Sequence, residues 1–106
     1  MDITTTESLP GRQITAVTGV AVGSTVRTKN IGKDIGAGLK SLVGGELKSY
    51  SDMLVEARAQ SFSRMEAHAA ELGADSVVNL RFMTSAVAAG ASEILAYGTA
   101  VTTESA

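Results

Sequence analysis

An α+β fold is predicted for this chain of 106 residues, as a single domain over residues 1–106 with the order strand, strand, helix, helix, strand, strand. Apolar residues alternate with a period of two before Thr28 and after Ser76. Between those stretches the period lengthens to that of a helix. Turn signals at Pro10-Gly11, Gly44-Gly45, Gly73 and Gly90 separate the segments. The sheet is therefore expected to be antiparallel-rich, with both helices on one face.

Ile3 to Thr6 is a short β-branched run closed by Pro10-Gly11, and its natural continuation is a hairpin with the β-prone run from Gln13 to Thr28. In that second run Ile14, Ala16, Val20, Val22 and Val26 point to one face. The other face carries Val17, Gly19, Ala21 and Gly23, which are small or uncharged and suit contact with another backbone. Gly19 and Gly23 mark a bulge or bend, because the run is long for an unbroken strand.

From Asn30 the wheel gathers Ile31, Gly32, Ile35, Gly36, Leu39, Leu42 and Val43 on one arc, with Asn30 as N-cap and Gly44-Gly45 as the stop. Ser49 to Leu72 is the clearest helix, free of Gly and Pro, with a seam of Leu54, Ser61, Met65 and Leu72 and Gly73 as its C-cap. Ser76 to Val87 alternates again, Ala88 to Ser92 is the turn, and Glu93 to Thr103 is the last strand. Two helices cover only one side of such a sheet. The small residues Gly19, Ala21, Gly23, Ala96, Gly98 and Ala100 are expected on the uncovered side, where a second copy of the chain is the simplest cover. The partner predicted is the chain itself, as a homo-oligomer.

Composition narrows the chemistry. Nine basic and eleven acidic residues give a net charge of −2 and no basic stripe, so nucleic acid is not an expected partner. Cysteine is absent, which removes disulfides, thiolate metal sites and cysteine nucleophiles together. The first residues have neither a basic start nor a signal-length apolar run, and no segment is long enough for a membrane span; a soluble cytoplasmic protein is expected. Gly38-Leu39-Lys40-Ser41 puts leucine where a phosphate-binding loop needs lysine, and Gly36-Ala37-Gly38 lacks the third glycine of a dinucleotide fingerprint. No cofactor is expected, and the glycines of this segment read as packing contacts.

The candidate site residues are few. Arg58 falls within the apolar arc of the long helix, where a charge needs a partner or a route to solvent; a snorkelling stem with an ion pair is the structural reading, an anion-binding arginine at a subunit interface the functional one. Asn30, at a helix start, and Asp34 complete the ligand-binding candidates. His68, the only histidine, is followed by Glu71 and Asp75 at spacings that could reach one metal, although a surface histidine is the simpler reading. With one histidine and no cysteine, no nucleophilic constellation stands out, and no catalytic residue is assigned.

Taken together, Gly19-Val20-Ala21-Val22-Gly23, Asn30, Asp34, Gly44-Gly45, Tyr50, Leu54, Ala57-Arg58, Met65, Leu72-Gly73-Ala74-Asp75, Val77-Val78 and Tyr97-Gly98-Thr99-Ala100-Val101 resemble the YbjQ-like family. These are small, uncharacterised, mostly bacterial proteins whose alternative label names heavy-metal binding. The resemblance covers nearly the whole chain and implies a dodecin-like subunit in a ring of five. It implies no activity. Against a soft-metal role, this chain has no cysteine, one histidine, and Met83 where relatives often carry an acid. The leading expectation is a non-enzymatic, self-assembling cytoplasmic protein with a ligand site where subunits meet. The alternatives are a metal- or anion-binding module and an enzyme with a composite interfacial site.

Overall fold

The computed structural model describes residues 1–28 and 45–106, and side chains from Ser49 onward in its second part. Over these residues the chain runs β1 (Asp2–Ile3), β2 (Arg12–Thr28), α1 (Gly45–Glu71), β3 (Ser76–Ala88) and β4 (Ala91–Ser105). The strands form one sheet in the order β1-β3-β4-β2. β4 pairs antiparallel with both β2 and β3, while β1 lies parallel to β3. The expected α+β class and antiparallel-rich sheet hold, with one parallel edge. The helix expected from Asn30 to Val43 lies outside the described residues.

The hairpin expected between the first two strands does not form. β1 pairs with β3, Asp2 opposite Ser76 and Ile3 opposite Val77, and β2 stands at the far edge. Side-chain hydroxyls explain the departure. Thr6 donates its N–H to the Thr4 hydroxyl at 3.2 Å and its own hydroxyl to the Ser8 carbonyl at 2.7 Å, so the chain turns locally instead of continuing as a ladder. Thr4 and Thr6 still tie to β3, because the Asn79 and Leu80 N–H groups donate to their carbonyls. Pro10-Gly11 is a turn as expected, closed by Arg12 N–H to the Leu9 carbonyl.

Helix α1 begins at Gly45, four residues before the expected start at Ser49, so Gly45 opens this helix where it was expected to stop the preceding one. Its end agrees with the sequence. Ala74 donates its N–H to the Ala69 carbonyl and Gly73 to the Ala70 carbonyl, a Schellman closure that needs the positive φ of 79° at Gly73. Ala74 then packs against the core that includes Ala69. At the other sharp reversal, Ala88 pairs with Ala91 across Ala89-Gly90, and Gly90 takes φ 74°.

The core lies between α1 and the middle of the sheet. Ala21, Met65, Ala69, Val77, Leu80, Ala96 and Ala100 form it, with Ile3, Phe62, Leu72 and Ala74 against its margin. The expected helix seam is therefore the right one at Ser61, Met65 and Leu72. Ser61 is fully buried and its hydroxyl is satisfied within the core, reaching the Ala57 carbonyl at 3.0 Å and the Ile94 carbonyl at 2.9 Å.

Candidate functional site

Which face of the sheet is open decides what the molecule can present to a partner, and the answer reverses the expectation. Gly19, Ala21, Gly23 and Thr25 of β2 oppose Ala100, Gly98, Ala96 and Ile94 of β4. Ala21, Ala96 and Ala100 have 0% exposure, and Gly23 and Gly98 are buried as well. A Cβ at Gly23 would collide with the backbone of α1 at Met65, Ser61 and Arg64. A Cβ at Gly19 would meet Leu72 at 3.2 Å, and one at Gly98 would meet Val77 at 2.6 Å. These six residues are covered within their own chain: Gly23 lies against the backbone of α1, Gly19 against the Leu72 side chain, and Gly98 against Val77 and the β3 backbone. At Gly23 the missing side chain is what lets the α1 backbone lie directly on β2.

The helix-free face is built from the larger residues. The register places Val22, Tyr97 and Arg81 in one row, Ser24, Leu95 and Met83 in the next, and Val26, Glu93 and Ser85 in the third. Val20, Val22 and Val26 are 62%, 43% and 57% exposed, and Met83 and Val87 are also exposed. The sequence signal for this face was present in the valines at even positions, which read as core because valine is usually inside.

The two sheet edges differ as well. Along β2, His68 of α1 accepts the Val22 N–H through Nδ1 at 2.9 Å, and Arg64 Nη1 donates to the Ser24 carbonyl at 2.6 Å. Arg27 is joined to Gln60 at 2.9 Å and to Glu56 at 3.7 Å. Helix side chains thus occupy backbone groups that an edge strand would otherwise leave open. On the other edge, β1 and the Thr4-Thr6 arm cover β3 only as far as Leu80. Arg81 through Ala89 are all exposed, and no described strand pairs with their outer side. Phe82 to Ala88 carries no charge, proline or glycine.

The ligand-binding candidates do not assemble. Arg58 is exposed and makes no hydrogen bond or ion pair among the described residues; the buried position on that turn is Ala57. Its expected place within the apolar arc is therefore corrected by one residue: α1 meets β2 through Ser61 and Met65, and Ala57, not Arg58, is buried in line with them. Asn30 and Asp34 lie outside the described residues. Glu71 is exposed, His68 is held by Val22, and Asp75 is engaged elsewhere, so the metal-spacing idea finds no geometry: no group of three or more potential ligands forms among the described residues.

Asp75 is a fastening point. Its carboxylate accepts the Thr103 N–H at 3.0 Å, the Thr103 hydroxyl at 2.9 Å and the Ser76 hydroxyl at 2.9 Å, while Arg12 Nε donates to the Thr103 hydroxyl at 2.7 Å. The Thr103 backbone bond, then the Ser76 hydroxyl, hold its carboxyl below the ordinary carboxylate range, with smaller help from the Thr103 hydroxyl and Arg12. This joins the exit of α1 to β4 and the start of β2. No helix among the described residues is long and apolar enough to cross a membrane.

Comparison with known proteins agrees with this architecture. The chain is 58% identical over 101 residues to a UPF0145 protein of Methanoculleus marisnigri, covering 95% of this chain and 94% of that one. It is 57% identical over 99 residues to another from Archaeoglobus fulgidus, covering 93% and 92%, and 54% identical over 101 residues to one from Vibrio campbellii, covering 95% and 97%. Archaeal and bacterial relatives thus stand side by side, which widens the mostly bacterial expectation. A solved structure of a DUF74 family protein of unknown function from Pediococcus pentosaceus shares the fold, with a TM-score of 0.67, 18% identity and 98% of each chain covered. The family model described as "Putative heavy-metal-binding" matches residues 1–104, and the chain belongs to that family, YbjQ.

Proposed function

We propose that this protein is a non-enzymatic, self-assembling subunit whose copies associate through the helix-free face and the bare β3 edge of the sheet into a closed homo-oligomer. One observation carries the reading: Val20, Val22, Val26 and Met83 lie exposed on a face that no described element covers. Fully burying a side chain of this size contributes about 1.5–3 kcal/mol. Several together are the kind of apolar patch that marks an association surface. The uncharged run Phe82–Ala88 extends the patch to a strand edge without the lysines or prolines that usually block edge pairing.

The subunit number belongs to the same proposal. The two sheet edges are unlike, one closed by α1 and one bare, which suits contacts between different surfaces of neighbouring copies; such contacts form a ring when the rotation between copies closes. A count of five follows from the family resemblance, and a ligand site would lie where subunits meet. The alternative is a metal- or anion-binding module, of which only the metal reading draws support from the family description.

Native mass spectrometry with light scattering at micromolar concentration tests the reading. A multiple of the 10.8 kDa subunit is expected, and Val22→Asp should reduce it to single chains with the far-ultraviolet circular dichroism unchanged. A folded 10.8 kDa particle for the unaltered protein overturns the proposal. A reproducible mass excess matching a metal ion favours the alternative.

A further inference from the structure

His68 has a constraint that its neighbours on α1 lack. Its Nδ1 must carry a lone pair, because the group facing it at 2.9 Å is a backbone donor, the Val22 N–H. The ring proton therefore sits on Nε2. A second proton would go to Nδ1 and set donor against donor. The bond would be lost and the Val22 N–H left without its acceptor. An arginine or an amide in the same place would feel no such effect; Arg64, one turn earlier, keeps its bond to the Ser24 carbonyl at any accessible pH.

We propose that His68 is a proton-operated latch on the β2 edge: neutral, it closes the backbone at Val22; protonated, it lets go. Among the described residues the charges around the ring are few. Along α1 the residues one turn away are Arg64 and Glu71, of opposite sign. The β2 segment beneath, Val20 to Ser24, has none, and β4 contributes only Tyr97 opposite Val22. Release of the latch frees one N–H on an edge strand whose neighbouring Ser24 carbonyl is still held, a local opening that leaves the core of Met65, Ala69 and Ala96 in place. The latch lies within one chain and does not depend on the assembly proposed above.

Amide hydrogen exchange on the full chain, corrected for intrinsic rates, tests this at pH 7.5 and pH 5. Protection at Val22 is expected to fall about tenfold on acidification, the worth of one hydrogen bond. The amides of Ile94 and Ala100 in the central strand should keep their protection. His68→Asn supplies an uncharged acceptor at the Nδ1 position, and in that variant the Val22 value should lose its pH dependence. Nitrogen-15 shifts of the imidazole at pH 7.5 should report the Nε2–H form. Equal Val22 protection at both pH values in the unaltered protein, an equal fall in His68→Asn, or the Nδ1–H form at pH 7.5 would each overturn the latch.

Discussion

On one side of β2 stand Gly19, Ala21, Gly23 and Thr25, with α1 resting on them; on the other stand Val20, Val22, Ser24 and Val26, which no described element covers. Judged by hydrophobicity alone, the valine side should be inside. Burial instead followed the distance that a helix can approach. A helix gains contact with a sheet by bringing its backbone close, and only residues without a large side chain permit that. The valines are then left on a face that no described element covers, which is the physical content of the assembly proposal.

The comparison can be broken most forcefully at Gly23. Gly23→Ala puts a Cβ into the α1 backbone at Met65 and Ser61, where no side chain can swing aside, and should destabilise the fold by about 3 kcal/mol or more. Ser24→Ala, one residue away on the open side, should change it by less than about 0.5 kcal/mol. Thermal or urea unfolding of the pair measures the contrast; equal effects would mean that α1 does not rest on Gly23. Next in size is Met65→Ala, which removes a fully buried side chain and should cost roughly 2–5 kcal/mol in the same measurement.

A smaller effect comes from Asp75. Its carboxyl is lowered in the folded state, so its contribution is complete above the ordinary aspartate value near ~3.9 and is lost as pH falls through the folded value. Unfolding midpoints measured downward from pH 5 should drop, and Asp75→Asn should flatten that part of the acid limb. Smallest of all is Thr18→Val. The Thr18 hydroxyl is buried without a partner at the second irregularity of β2, so removing it should leave stability within about 0.5 kcal/mol or raise it. A loss above about 1 kcal/mol would show that the hydroxyl has a partner after all.

Much of the local structure was legible from residue order. The long helix, its stop at Gly73 and the tight reversal at Gly90 rest on backbone chemistry that acts within a few residues. Gly19 likewise sits where β2 changes register, as its presence in a long strand suggested. The site was less legible. Arg58 and Ala57 are neighbours on the wheel, and which of them is buried depends on the tilt at which α1 meets β2. His68 looked like a spare surface histidine, since its partner is a backbone N–H, and every residue but proline has one.

The sequence by itself determined the α+β class, the limits of the β2, β3 and β4 strands to within a few residues, and the alternation of small and large residues along β2. Periodicity, caps and turn residues act locally, so they can be read in order along the chain. Only the tertiary structure decided that β1 joins β3 and that α1 lies on the glycine side of the sheet and closes the β2 edge through His68 and Arg64. Those outcomes turn on how near two backbones can come, a quantity that belongs to pairs of elements and to no single stretch of residues.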